Sequence, residues 1–131
     1  MELSGGRFLI SFDIDGTLEL GDPPGRITTE MVKRARDRGF LVGSCSDRSA
    51  TSQKAIWERM NMEADFISLK HMLDDVKQRF DMHRYLHIGD RDLDQMFAEQ
   101  AGFDFLWEHE AYTEPWLDWL NGAGGPIAGQ P

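Results

Sequence analysis

Short apolar runs alternate with amphipathic stretches along most of this chain. Each run has the length of a buried β-strand, and the stretches between runs carry apolar residues at helical spacing. The runs predict strands over residues 7–12, 40–45, 65–69, 85–88 and 103–107. The intervening stretches predict helices over about 28–38, 49–60, 70–80 and 96–101, and a short closing helix over 114–120.

Strict alternation of strands and helices predicts an α/β fold. We expect a doubly wound, Rossmann-like parallel sheet of five strands with helices on both faces. Residues 1–120 are expected to form a single domain that carries the functional site. Residues 121–131 are rich in Gly, Pro and Ala and are expected to form a flexible tail.

Composition and charge narrow the classes of function. The formal net charge of −9 argues against a general nucleic-acid binder, because phosphate backbones require a basic surface. No stretch approaches the roughly 20 apolar residues of a membrane-spanning helix, and the N-terminus lacks the pattern of a secretion signal. We therefore expect a cytoplasmic protein without a membrane partner. The single Cys45 excludes an internal disulfide and is predicted to be a small buried side chain.

Polar side chains follow the carboxyl ends of the predicted strands. Asp13 and Asp15 come directly after the first strand, and at this i, i+2 spacing both carboxylates lean to one side of the strand end. Ser46, Lys70 and Asp90 follow the second, third and fourth strands. Because open α/β sheets bind ligands beyond the carboxyl ends of their strands, these groups are predicted to converge on one rim.

The order and spacing of these residues resemble the four motifs of the haloacid dehalogenase (HAD) superfamily. The resemblance extends from about residue 7 to residue 107, and the first motif is its most specific part. In this sequence the motifs read, in order, Asp13-Ile14-Asp15-Gly16-Thr17, Ser46, Lys70, and Gly89-Asp90 followed by Asp94.

The resemblance implies a phosphomonoester hydrolase that works through a covalent intermediate. Asp13 would be the nucleophile that forms an aspartyl-phosphate, and Asp15 would be the general acid and base. The resemblance also implies Mg²⁺ held by the carboxylates of Asp13 and Asp90 and by the backbone carbonyl of Asp15. Oxygen ligands without Cys or His suit Mg²⁺ better than Zn²⁺.

Three further residues would bind the transferred phosphate. The resemblance assigns this role to Ser46, Asp47 and Lys70, with Lys70 neutralising charge on the phosphoryl oxygens. Asp94 would be a secondary acid, either in water-mediated contact with the metal or as the partner that orients Lys70. The run that begins at Asp90 also mimics the start of a calcium loop, but Gln95 stands where that loop requires Gly, so we reject this interpretation.

Several residues have competing interpretations. Ser46 is alternatively a plain N-cap of the following helix, and Ser44 is a weaker candidate for the phosphate contact. Lys77 competes with Lys70 but lies two turns further along the predicted helix, away from the rim. Arg48 either touches the substrate or only balances the acids, and Arg91 has the same two interpretations. His83 and His87 show no metal-site pairing and are predicted to be structural.

The gaps between the motifs leave no room for a cap domain. Small-molecule relatives in the superfamily usually carry one after the first motif or between the second and third, whereas each gap here holds one helix and a loop or strand. Within the superfamily, a capless site implies a large phosphorylated substrate, or a small one if a homo-oligomer closes the site. The alternatives are a HAD-fold binding or assembly module without turnover and a receiver-like signalling domain. The receiver needs an acceptor Asp after its third strand, where this chain has Ser68-Leu69-Lys70.

Overall fold

Five short strands form one parallel sheet within residues 7–121, the part of the chain that the computed structural model describes. The predicted tail, 121–131, lies outside this part except for residue 121. The strands are β1 (Phe8–Phe12), β2 (Leu41–Ser46), β3 (Phe66–Leu69), β4 (Arg84–Gly89) and β5 (Asp104–Trp107). Their order across the sheet is β3-β2-β1-β4-β5, with every neighbouring pair parallel.

The helices follow the predicted alternation, with differences at the shorter ones. The α-helices are α1 (Thr29–Asp37), α2 (Ala50–Arg59), α3 (Leu73–Arg79), α4 (Asp92–Ala101) and α5 (Glu108–Ala111). The Thr28 and Ser49 side chains cap the N-termini of α1 and α2. Lys70–Met72 forms a separate 3₁₀ turn before α3, and Pro115–Asn121 is 3₁₀-helical rather than α-helical. The four-residue α5 was not predicted.

The two faces of the sheet are covered by different helices. Successive residues of β1 point to opposite sides, so that Phe8, Ile10 and Phe12 pack with residues of α1, α2 and α5. Leu9 belongs to a second cluster with residues of α3 and α4, among them Val76 and Ala98. Helices on both faces explain why the strands read as continuous apolar runs. The predicted doubly wound α/β fold is confirmed.

The strand order reverses between β1 and β4. The chain moves outward from β1 to β2 and β3, then returns to pair β4 with the other side of β1. In open α/β sheets such a reversal opens a crevice at the carboxyl ends of the strands. Within residues 7–121, β1 is joined to β2 by a loop and α1, and β2 to β3 by α2, so neither connection contains a cap domain. No helix in the described part of the chain is long and apolar enough to cross a bilayer.

Candidate active site

The carboxyl ends of four strands bring the predicted residues to one rim. Asp13 follows β1 at the centre of the sheet, and its backbone N–H donates to the Ile88 carbonyl of β4. Ser46 is the last residue of β2, Lys70 follows β3 and Asp90 follows β4. Asp13 and Asp90 therefore flank the crevice where the strand order reverses.

Lys70 bridges two buried carboxylates at this rim. Its Nζ lies 3.2 Å from Asp13 Oδ2 and 3.3 Å from Asp94 Oδ2. All three side chains are buried, with Lys70 only 3% exposed. A buried charge is tolerated when it is paired and hydrogen-bonded, which this arrangement provides. Lys77, the competing lysine, instead donates to the Gly102 carbonyl.

The two carboxylates beside Lys70 differ in their proton affinity. Burial raises the pKa of Asp13 to about 8, and the negative charge of Asp94 adds to this effect against the opposing charge of Lys70. Burial also acts to raise the pKa of Asp94, but the hydrogen bond from His87 and the charge of Lys70 lower it below its ordinary value. Asp94 therefore carries the negative charge, and Asp13 needs a further cation to be unprotonated near neutral pH.

Asp15 is held by an arginine. Arg48 Nη2 lies 2.7 Å from Asp15 Oδ1, and Arg48 Nε lies 3.0 Å from Oδ2. The backbone N–H of Asp22 donates to the same Oδ1 at 2.8 Å. The hydrogen bond from Arg48 is the main cause that lowers the pKa of Asp15. In this structure Arg48 therefore balances an acid, which is the second of the two interpretations of this residue.

The end of β2 places Ser46 at the rim, whereas Ser44 lies further back in the same strand. Ser46 is buried, and its Oγ accepts a hydrogen bond from the backbone N–H of Arg48 at 3.1 Å. Ser49, not Ser46, caps α2, which removes the plain N-cap interpretation of Ser46. Ser44 is occupied below the rim by Gln53 and Trp57. The Asp47 side chain is 80% exposed, and its Oδ2 lies 3.9 Å from Lys70 Nζ.

Three carboxylates could surround a cation. Oxygen atoms of Asp13, Asp90 and Asp94 lie within 4.8 Å of one another. Both Asp94 oxygens already accept hydrogen bonds, from His87 and from the backbone N–H of Arg91. Asp90 Oδ1, in contrast, is buried without a hydrogen-bond partner in the described structure. An orphaned buried carboxylate oxygen beside a second carboxylate fits a hard divalent cation, so Asp13 and Asp90 are the better ligands.

Sequence reasoning missed the connections of two buried polar residues. His87, predicted to be structural, lies 2.8 Å from Asp94 Oδ1 through its Nε2. Gln53 of α2 donates from its Nε2 to the carbonyls of Arg48 and Ser68, and so joins the loop after β2 to the end of β3. Each of these polar residues stands at a position that faces the core. A buried polar side chain needs a hydrogen-bond partner, but the sequence does not reveal which residue that partner is.

Comparison with known proteins bears on the fold. No family model matches this chain, and no curated protein matches it. Among solved structures, it is similar to the core domain of a putative phosphoglycolate phosphatase from Streptococcus pneumoniae TIGR4, solved by NMR. The TM-score is 0.57 at 19% sequence identity, over 77% of this chain and 79% of that chain.

The two chains share a fold. At this identity the likeness concerns the architecture alone. The doubly wound α/β fold that the sequence predicts is therefore shared with this phosphatase core domain.

Proposed function

We propose that this protein is a Mg²⁺-dependent phosphomonoester hydrolase with Asp13 as its nucleophile. The observation that supports this most strongly is the position of Asp13, which is buried, contacts Lys70 at 3.2 Å and shares a carboxylate cluster with the unpartnered oxygen of Asp90. A carboxylate set beside a fixed ammonium and a prospective metal ligand suits attack on a phosphorus atom. The similar structure, described as a phosphatase core, agrees with this class of reaction.

The metal would be held by this chain's own oxygen ligands. Asp13 and Asp90 would contribute carboxylates and Asp15 its backbone carbonyl. When bound, Mg²⁺ supplies positive charge that keeps Asp13 unprotonated and offsets the repulsion between Asp13 and the phosphate.

The remaining residues would bind the phosphoryl group and move protons. The Ser46 hydroxyl would donate to a phosphoryl oxygen, and Lys70 would neutralise charge that develops on the equatorial oxygens. The exposed Asp47, beside Lys70, would complete this side of the phosphate site. Asp94 would hold Lys70 in place, the second of the two roles considered for it. Asp15 would protonate the leaving oxygen once the substrate has separated it from Arg48, whose hydrogen bond otherwise lowers the pKa of Asp15. It would then accept a proton from the attacking water.

The substrate would be a phosphorylated molecule that can reach an uncovered rim. Within residues 7–121 no inserted domain covers the crevice, so a large phosphorylated substrate is suitable, as is a small one if a second copy closes the site. The net charge of −9 does not favour a nucleic acid.

Release of phosphate tests this function. The protein should hydrolyse p-nitrophenyl phosphate or acetyl phosphate when Mg²⁺ is present, and Asp13→Asn should reduce the rate to the buffer background. The matched control is Asp92→Asn, because Asp92 is an exposed acid near the same rim at the start of α4. This control should retain activity. Equal rates in wild type and Asp13→Asn would contradict the proposal.

A further inference from the structure

A buried hydrogen-bonded chain leads from the middle of the sheet to the proposed nucleophile. Ser11 of β1 and His87 of β4 are register partners on adjacent strands, and Ser11 Oγ lies 2.9 Å from His87 Nδ1. On its other side, His87 Nε2 lies 2.8 Å from Asp94 Oδ1. Asp94 contacts Lys70, and Lys70 contacts Asp13. All five side chains are buried, and Ser11, His87 and Asp94 are 0% exposed.

The direction of these hydrogen bonds follows from the carboxylate. An ionised carboxylate only accepts hydrogen bonds, so His87 Nε2 must carry the proton that it shares with Asp94. His87 Nδ1 then faces the Ser11 hydroxyl, which can donate to it. This arrangement satisfies both ring nitrogens and fixes the orientation of the imidazole.

We propose that His87 is a positioning residue for phosphoryl transfer, because it holds the carboxylate of Asp94 in the orientation that faces Lys70. This inference rests on the proposed function, in which Lys70 stabilises the phosphoryl group. The Asp94 carboxylate is held at both oxygens, by His87 on Oδ1 and by the Arg91 backbone N–H on Oδ2 at 3.1 Å. Without the His87 donor, Asp94 could rotate and Lys70 would lose its fixed partner.

Two substitutions of His87 separate positioning from packing. The amide nitrogen of glutamine can take the place of Nε2, whereas that of asparagine takes the place of Nδ1. We expect His87→Gln to keep most of the turnover of p-nitrophenyl phosphate with Mg²⁺. We expect His87→Asn to lose about 10- to 100-fold in kcat, the usual effect of losing a group that orients an active-site residue, with a smaller change in KM.

A control at another histidine isolates the effect. His83 Nδ1 accepts from the backbone N–H of Arg7, before the amino end of β1, so His83→Gln removes an imidazole far from the rim. This variant should keep the wild-type rate. Thermal unfolding of all three variants shows whether they are folded at the assay temperature.

The outcomes distinguish this inference from the proposed function. The positioning role would be overturned if His87→Gln and His87→Asn lost kcat equally and also lost stability equally. Long-range ¹H–¹⁵N NMR gives a readout apart from turnover, because a proton on Nε2 of His87 supports the arrangement and a lone proton on Nδ1 overturns it. Absence of Mg²⁺-dependent turnover in the wild type would overturn the proposed function itself.

Discussion

At the scale of single residues, the missing side chain of Gly16 determines where Asp90 can lie. Gly16 has φ of +78°, and a Cβ atom added there would lie 2.0 Å from Asp90 Oδ2. Glycine is therefore required for two reasons: the backbone is left-handed at this position, and a side chain would occupy the space of the Asp90 carboxylate. Steric exclusion of a side chain thus explains why glycine is the fourth residue of the run Asp13-Ile14-Asp15-Gly16 in the first motif.

Gly16→Ala should weaken metal binding as well as stability. The left-handed backbone costs an alanine roughly 1–2 kcal/mol of folding free energy, and the Cβ would also displace the Asp90 carboxylate. Gly39→Ala is a matched control, since Gly39 has φ of +101° and no atom within 4 Å of an added Cβ. Calorimetric titration with Mg²⁺ should show reduced affinity for Gly16→Ala alone. Equal Mg²⁺ affinity in the two variants would contradict this account.

Cys45 should make stability depend on pH on the alkaline side. Burial raises the pKa of the Cys45 thiol to about 12. The thiol of the unfolded chain ionises near pH 8.5, so above that pH the unfolded chain loses a proton that the folded chain keeps. The stabilising contribution is complete below about pH 8.5 and is lost as the pH rises towards 12.

The Cys45 contribution is measurable as a difference between two proteins. It should reach at most about 1.4 kcal/mol for each pH unit in this range. Urea unfolding between about pH 8 and pH 10 should therefore show a steeper loss of stability in wild type than in Cys45→Ala. Because other groups titrate in both proteins, only the difference in slope is informative, and parallel slopes would count against a buried protonated thiol.

At the scale of elements, α2 joins two parts of the site. Gln53 binds the carbonyl of Arg48 at 2.9 Å and the carbonyl of Ser68 at 2.8 Å, while its Oε1 accepts from Ser44. One buried amide therefore sets the spacing between the loop after β2 and the end of β3. Trp57, one turn further along the helix, donates to Ser44 and does not touch either loop carbonyl.

Gln53→Met should impair the site more than Trp57→Phe does. Methionine fills a similar volume but removes the donor from two partly buried carbonyls, at a cost of at most about 1–3 kcal/mol each. Trp57→Phe removes one hydrogen bond of the same network, the one to Ser44, but keeps both hydrogen bonds from Gln53 to the backbone carbonyls. We expect Gln53→Met to raise the inhibition constant of inorganic phosphate and to lower kcat/KM. A variant pair with equal loss of stability and unchanged phosphate inhibition would show that α2 only supports the core.

The limits of sequence prediction are also clearest for elements. The strands and the helices α1 and α2 could be predicted, because the apolar runs and the helical spacing of the apolar residues indicated the same structure. The four-residue α5 is too short to show a periodic pattern, and its residues Glu108, His109 and Glu110 are polar. No Gly or Pro separates the 3₁₀ turn at Lys70–Met72 from α3, so the sequence predicts one helix over both.

At the scale of the whole molecule, the sheet order creates the site. The alternation of strands and helices predicts a parallel sheet but does not determine that β1 lies between β2 and β4. That order brings Asp13 and Asp90 together. Side-chain pairings such as Arg48 with Asp15, or His87 with Asp94, depend on this arrangement, so the sequence could indicate the rim but not its hydrogen bonds.

The clustered acids also predict that metal binding stabilises the entire fold. A cation bound only by the folded chain adds about 2.7 kcal/mol at a free concentration 100 times its Kd. Thermal unfolding with and without Mg²⁺ should show this gain in wild type and in the control Asp92→Asn. Asp90→Asn should lose the gain, because it removes a metal ligand. An unchanged Mg²⁺ effect in Asp90→Asn would place the cation elsewhere.

The central claim is that Asp13 becomes phosphorylated, and direct detection of the adduct tests it most closely. Acid quenching during turnover, borohydride reduction and peptide mass spectrometry should locate a reduced acyl-phosphate at Asp13 in the wild type. The adduct should accumulate further in Asp15→Asn, which lacks the base that activates water. No adduct in either protein despite turnover, or an adduct on another residue, would contradict the account.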